Sequence, residues 1–436
     1  MWPYHPDLLE TPVPRYTSYP TAADFGSLNE TALPQAIEQT RGDISLYIHI
    51  PFCEKICFYC GCNTGRANRT QRVEAYLDAL HAEIATVATL LSADVRVRNV
   101  AFGGGSPNAI APSRFLALVE HLHHHFNLAD ARWSIETDPR SMTSDWARAI
   151  GEAGITRASM GVQTFAKACQ KAIGREQDEA LIDRCVSWLR GAGVTSLNFD
   201  LMYGLPQQSY NDLADSLLRT MQLGADRIAV FGYAHVPQLV ARQRAIDAET
   251  LPDRDDRFAM ALQAYDTLTQ AGYRSIGFDH FALSHDPMAK AARAGTLRRN
   301  FQGFTEDPSD VLIGFGSSAI SGFPGLIAQN EKKNGRYQAM VMQGKLTASV
   351  GIARNHQDRI RAQLIEDLLC RDRAQLPLSL DAAAYAALTP FIERGLARID
   401  GTQLSITSSG LPYARVIASL FDTYRAAAST RFSSAI

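Results

Sequence analysis

The sequence predicts an α/β fold built on a parallel sheet, either a partial or a complete (β/α) barrel, with a doubly wound open sheet as the alternative. Three observations lead there. From Ile44 to about residue 278, short apolar runs alternate with amphipathic stretches, the pattern of parallel strands joined by helical crossovers. The C-terminal ends of these runs read IPFC, GGGSPN, ETDP, GVQ, DLMYGLP and YAHVP, rich in Gly, Pro and polar residues as a functional barrel face would be. Directly after the first run, four cysteines (Cys53, Cys57, Cys60 and Cys62) fall within ten residues.

Taken in order, residues 1–43 are mixed, Pro-rich and without a strong period, and read as an extended lead-in. A barrel domain is expected over 44–325. Its strand-like runs are 44–50, 95–102, 133–137, 157–162, 196–203, 227–233 and 273–278, rich in β-branched and aromatic residues. Helical periodicity lies between them at 70–92, 112–126, 143–153, 177–191, 209–223 and 254–271. The rhythm stops after about residue 285. A basic, Gly-punctuated stretch (286–304) precedes DVLIGFGSSAISGF, which reads as a last strand with a Gly-rich turn. Residues 326–436 form a mostly helical C-terminal domain. Within it, 357–436 give two helices, a hairpin (LARIDGTQLSIT) and a final helix, a winged-helix-like outline.

Composition excludes several classes. With 46% hydrophobic and 20% charged residues and a formal charge of −2, the chain is neither disordered nor a polybasic nucleic-acid binder. No apolar run approaches the ~20 residues of a membrane span. The N-terminus, MWPYHPDLLETPVPRYTSYP, lacks a basic region followed by an apolar stretch. The expectation is a cytoplasmic protein, monomeric, with no nucleic-acid or membrane partner.

The cysteine spacing C-x3-C-x2-C-x-C is not a secreted disulfide framework. Three thiolates on one loop suit three corners of a [4Fe–4S] cluster and leave one iron open. Zinc, with Cys62 as fourth ligand, is the alternative from spacing alone. Cys169, Cys185 and Cys370 are scattered and read as structural. His121, His123, His124 and His125 read as a partly exposed helix end rather than a haem site.

Cys53-x3-Cys57-x2-Cys60 after the first strand, joined to Gly103-Gly104-Gly105 after the second, resembles the radical S-adenosylmethionine (SAM) superfamily. The resemblance implies a radical SAM barrel whose cluster's open iron binds SAM, which is cleaved by one electron to methionine and a 5′-deoxyadenosyl radical. PRYTSYPTA (14–22), SLYIHIPFCEKICFYCGCN (45–63), GGGSP (103–107), IETDPR (135–140), SMGVQ (159–163), REQDE (175–179), FDLMYGLP (199–206), YAHVP (233–237), DHFA (279–282), RNFQGF (299–304) and SAIS (318–321) narrow it. Together they resemble the oxygen-independent coproporphyrinogen III oxidases, over nearly the whole chain. Ser106 stands where that family usually has Thr, and Asn108, Gly174 and the order Phe58-Tyr59 also depart from its pattern.

That resemblance implies two bound SAM molecules. Tyr47, Gly104, Glu136 and Ile320 match the shell of the cluster-bound SAM. Tyr59, Gly105, Ser106, Gln163, Arg175, Asp200 and Ala234 match that of the second. Cys53, Cys57 and Cys60 would hold the cluster, and Cys62 would not. The implied reaction turns two propionates of coproporphyrinogen III into vinyl groups, giving protoporphyrinogen IX, with an electron donor and an acceptor still to be identified. No side chain need act as general base. Arg15, Arg299 and Gln302 are the substrate candidates, arginine because its fork suits carboxylates, with Lys290, Arg293 and Arg298 as more scattered cations. Two rivals differ in class: a haem-binding chaperone, and a winged-helix regulator with a sensing cluster. The helix LPYARVIASLFDTYRAAAS has little basic patterning for the latter.

Overall fold

The computed structural model describes residues 2–67, 69–377 and 382–425. Six parallel strands lie side by side in chain order: β1 (Asp43–Ile50), β2 (Arg96–Gly104), β3 (Arg132–Thr137), β4 (Arg157–Gln163), β5 (Ser196–Tyr203) and β6 (Arg227–Gly232). A seventh, β7 (Val311–Phe315), pairs in parallel with the free edge of β1. This consecutive order is that of a singly wound barrel and excludes the doubly wound sheet, whose order reverses midway. The barrel is partial. β6 is followed by an antiparallel strand, His280–Ala282, and does not pair with β7.

Helices α1 (Thr70–Leu90), α2 (Pro112–His125), α3 (Ser144–Glu152), α4 (Glu179–Gly191), α5 (Tyr210–Gln222) and α6 (Arg254–Gln270) occupy the stretches where helical periodicity predicts them. Their starts are written locally. Thr143 and Asp178 accept from backbone N–H groups of α3 and α4, and Ser209 and Asp212 form a reciprocal capping box on α5. β1 is buried on both faces, at Ile44, Leu46, Ile48 and Ile50 on one and at Ser45 and His49 on the other, as a strand between core and helices must be.

Three expectations differ from what is observed. The run 273–278 is no parallel strand. Only Arg274–Ile276 is extended, and the chain turns at Gly277 (φ +58°) to pair it antiparallel with His280–Ala282. The lead-in is not wholly extended: Ala32–Glu38 is helical, and Leu9, Val13, Tyr16 and Tyr19 are buried in the main core. The line between residues 325 and 326 falls in a sheet hairpin, because Phe323 and Leu326 pair in register and Ala348–Ala353 continues the same sheet.

Further on come helices His356–Arg371 and Ala382–Glu393 and a three-stranded sheet, Arg373–Gln375, Gln403–Ile406 and Ala397–Asp400. The final helix is short, Ala414–Ser419 after a 3-10 turn; the rest of the expected helix from 426 onward lies outside the described residues.

Glu83 on α1 ties the wall to β7. Its carboxylate accepts from Gly316 N–H, Asn330 Nδ2 and Tyr337 OH, each at 2.7 Å. Burial still pushes its carboxyl up to about 7. A folded pKa above the unfolded one means stability is fullest below the unfolded value and declines as pH rises through the folded one. The shift corresponds to about 3 kcal/mol. Glu83→Gln, with the Asn330 amide turned over to face it, should therefore flatten the pH dependence of denaturant unfolding between acid and neutral pH. An unchanged pH profile would assign that dependence to other groups.

Candidate active site

The barrel interior holds a cavity of about 330 Å³ whose lining includes Glu136, Ser159, Asn198, Asp200, His280 and Gln302. Below it, Arg157 pairs with Glu306, Arg227 with Asp286 at 2.8 Å, and Ser45 with Asp307, so that a charged layer closes the barrel floor. Above it lie the strand ends and the cysteine loop.

The loop is fixed by backbone pairing. Gly105 N–H donates to Ile50 O at 2.9 Å and Ser106 N–H to Phe52 O at 2.8 Å. Gly104 sits at φ +113°, a conformation open to glycine, and its N–H donates to Glu136 Oε2 at 3.2 Å. A Cβ on Gly105 would stand 2.6 Å from Phe52 O, against backbone that cannot swing away. Overpacking of this kind costs about 1–3 kcal/mol. Gly105→Ala is expected to displace the cysteine loop and lower the iron bound per chain on reconstitution, with far-UV circular dichroism unchanged.

Cys57 is buried. Arg140 Nη2 donates to its Sγ at 3.2 Å and Arg175 Nη1 at 3.3 Å. Both guanidiniums converge on Asp138: Arg140 Nη2 lies 2.7 Å and Arg175 Nη1 3.2 Å from Oδ2. Burial alone would raise the Asp138 carboxyl, but the two arginines outweigh it and hold it below the usual range. Two guanidinium groups thus stand around the one sulfur. Burial pushes the Cys53 thiol up to about 12, whereas the Cys62 side chain, hydrogen-bonded to Cys60, brings Cys60 down to about 6. Among the described residues, no three His, Cys, Asp or Glu side chains are placed to hold a single metal ion. A cubane asks for something different, one thiolate for each of three irons at separate corners.

Glu136 projects into the cavity and is open to water there although it lies deep in the barrel. Its carboxyl is raised to about 7 by its depth and by the charge of Asp200, and Gly104 N–H is its one hydrogen-bond donor among the described residues. Such a carboxylate lacks a cationic partner among the described residues. Asp200 is better anchored, accepting from Ser159 Oγ at 2.9 Å and Asn198 Nδ2 at 2.8 Å, yet burial still raises it. Tyr47 OH meets His49 Nδ1 at 3.1 Å, and burial brings His49 down to about 4, so the ring is neutral.

Arg175 is buried, with Nη2 donating to Gly161 O; its Nε has no partner among the described residues. Gln163 adopts φ +71° at the end of β4, Ser106 Oγ donates to Asn108 Oδ1 at 2.6 Å, and Ala234 O accepts from Gln243 Nε2, as Tyr59 O does. Ile320 opens the strand beside β7. Thus the residues chosen from sequence gather at one end of the barrel.

The substrate candidates divide. Gln302 lines the cavity. Arg15 reaches the strand ends, donating to Gly232 O at 3.0 Å and standing 3.8 Å from Asp279. Arg299 is largely committed elsewhere: Nε and Nη2 donate to Tyr16 O and Arg15 O, both at 3.0 Å, while Phe278 and Phe304 stack on its guanidinium. Only Nη1 remains for a ligand, so this side chain pins the lead-in instead of presenting a fork. Lys290 is exposed, Arg293 donates to Ser284 O, and Arg298 pairs with Glu366 and Asp310. Asp138, Arg140 and His280 were not singled out by sequence. Asp138-Pro139 at a strand end was a visible cap signal, since Asp138 accepts from Arg140 N–H, but its hold on two guanidiniums depends on tertiary structure.

The partial barrel with three clustered thiols on the loop after its first strand defines a radical SAM protein, and the family model for the radical SAM superfamily matches residues 47–219. Relatives extend the match. The oxygen-independent coproporphyrinogen III oxidase of Bradyrhizobium diazoefficiens is 39% identical over 429 residues, 95% of each chain. That of Escherichia coli is 39% identical over 424 residues, 94% of this chain and 93% of the relative. The solved coproporphyrinogen III oxidase from Escherichia coli, described as a radical SAM enzyme, superposes with a TM-score of 0.91 at 37% identity, covering 97% of this chain and 99% of that one. The chain belongs to the oxygen-independent coproporphyrinogen III oxidase family. Its cofactors are a [4Fe–4S] cluster and SAM. No helix among the described residues is long and apolar enough to cross a membrane.

Proposed function

We infer that this protein carries out the anaerobic oxidative decarboxylation of coproporphyrinogen III to protoporphyrinogen IX, the activity named for its relatives. The observation that carries the reading is the polar cavity between the cysteine loop and the barrel floor, with Glu136 and Asp200 on its wall. Cys53, Cys57 and Cys60 hold the cluster. A reduced cluster held by these thiols together with SAM would supply the one-electron chemistry needed to break an unactivated C–H bond.

The chain does the rest. Asp138 aims Arg140 and Arg175 at Cys57, and their N–H groups help set the cluster's potential. Glu136 and the Gly104 backbone hold the cationic end of the first SAM, with Tyr47 and Ile320 beside it. Tyr59, Gly105, Ser106, Gln163, Arg175, Asp200 and Ala234 line the second SAM's place. Each propionate loses a hydrogen atom, CO2 and one electron to become a vinyl group, and no protein base is required. Gln302 and Arg15 face the substrate side. The protein works as a monomer in the cytoplasm, where reduced thiols and a low-potential cluster survive.

The test is anaerobic reconstitution followed by incubation with SAM, dithionite and coproporphyrinogen III. Chromatography of the oxidised products should give protoporphyrin IX. Tight haem binding with no conversion would establish the chaperone reading in its place.

A further inference from the structure

We propose that the basic ring around the cysteine loop is the docking surface for the electron donor, an acidic, low-potential one-electron carrier protein. The chain as a whole is slightly acidic, with 43 basic and 45 acidic residues, so a concentration of unpaired cations is not imposed by composition. Yet cations crowd this loop from four segments. Lys55 lies within it, and its carbonyl accepts from Arg140. Arg66 pairs in register with Cys53, and Arg69 and Arg72 follow on the same segment. Arg242 donates to Thr64 Oγ1 at 3.2 Å, while its neighbours Gln243 and Arg244 belong to the same 3-10 turn that grips Tyr59 O. Asn63 Nδ2 donates to Lys332 O at 2.9 Å, which brings Lys332 and Lys333 alongside.

None of these eight side chains is in an ion pair among the described residues. The exposed carboxylate of the loop itself is Glu54. Two apolar side chains stand within the ring: Phe58, 38% exposed, and Leu239, 59% exposed, next to Val240, which faces Gly61. A small apolar centre with a rim of eight cations against one loop carboxylate suits a transient partner, with the rim steering encounter and fixing orientation. The cluster must receive one electron for each SAM cleaved, and this face brings a carrier nearest to it. In that step one electron leaves the reduced carrier and enters the cluster, with no bond made or broken.

The proposal rests on the radical SAM assignment and not on the porphyrin substrate. Arg69→Glu, Arg244→Glu and Lys332→Glu combined in one variant reverse three rim charges without touching a thiol or the cavity. Arg398→Glu, on the exposed side of the C-terminal three-stranded sheet, is the control. The probe is reduced flavodoxin, an acidic FMN protein, added to reconstituted holoenzyme. Its affinity is measured by calorimetry and its oxidation by stopped-flow absorbance, at low and high ionic strength.

The wild type and Arg398→Glu should bind with a strong salt dependence. The triple variant should bind at least roughly tenfold more weakly and with little salt dependence. SAM cleavage driven by dithionite, which needs no docking, should be unchanged in the triple variant. The proposal is overturned if the triple variant binds flavodoxin as the wild type does, or if the wild type does not bind it. It is equally overturned if Arg398→Glu weakens binding as much, or if dithionite-driven cleavage falls in parallel, since the charges would then serve the active site itself.

Discussion

Cys57→Ser should yield a folded protein that no longer takes up a [4Fe–4S] cluster. Two guanidiniums, from Arg140 and Arg175, point at this sulfur and are themselves gathered by Asp138. A serine hydroxyl stays protonated beside them, so it offers iron neither charge nor softness. Only Cys53 and Cys60 would remain, too few to close three corners of a cubane. Cys62→Ser should behave differently. The Cys62 thiol interacts with Cys60 and leaves the three-thiol set intact, so the cluster absorption should persist. Iron and sulfide analysis with visible absorption reads both variants, and a cluster lost in Cys62→Ser but kept in Cys57→Ser would reverse the ligand assignment.

Asp200→Asn is the second large effect expected, and it separates turnover from assembly. Asp200 sits on β5, across the cavity from Glu136 and away from the cysteine loop, held by Ser159 and Asn198. The amide would keep the shape but remove a charge from the cavity wall, and would set its own N–H groups against the Asn198 donor. Misplacement of a bound ligand by ~1 Å costs on the order of 100-fold in rate. Product formation should fall by about that much while the cluster spectrum is retained. If the spectrum goes too, Asp200 is part of the framework and not of the ligand shell.

The barrel was legible because its signals are local. A strand of period two, a cap such as Ser209 with Asp212, and a glycine run at a strand end each mean much the same wherever they occur. So the six parallel strands, the five crossover helices between them and the gathering of Tyr47, Glu136, Arg175 and Asp200 could be anticipated. What escaped depends on partners far along the chain. The run 273–278 has strand composition, and nothing in it says that its neighbour will be the next six residues rather than β6. Arg299 looks like a free fork until Tyr16 O and Phe304 are placed around it. Asp138 looks like a loop acid until two arginines, one of them 37 residues on, turn toward it.

The lead-in closes over the strand ends through contacts with the far end of the chain. His5 N–H donates to Tyr413 OH, 408 residues away, Tyr16 OH donates to Asp422 across 406, and Arg15 reaches Gly232. Tyr413 and Asp422 follow their lead-in partners by 408 and 406 residues, so the lead-in cannot take its final place until they exist. The cysteine loop, by contrast, is tied down by residues no further on than 332. A deep site that must receive iron and sulfide therefore has its cover fastened by a later stretch of chain than the one that completes its thiol loop.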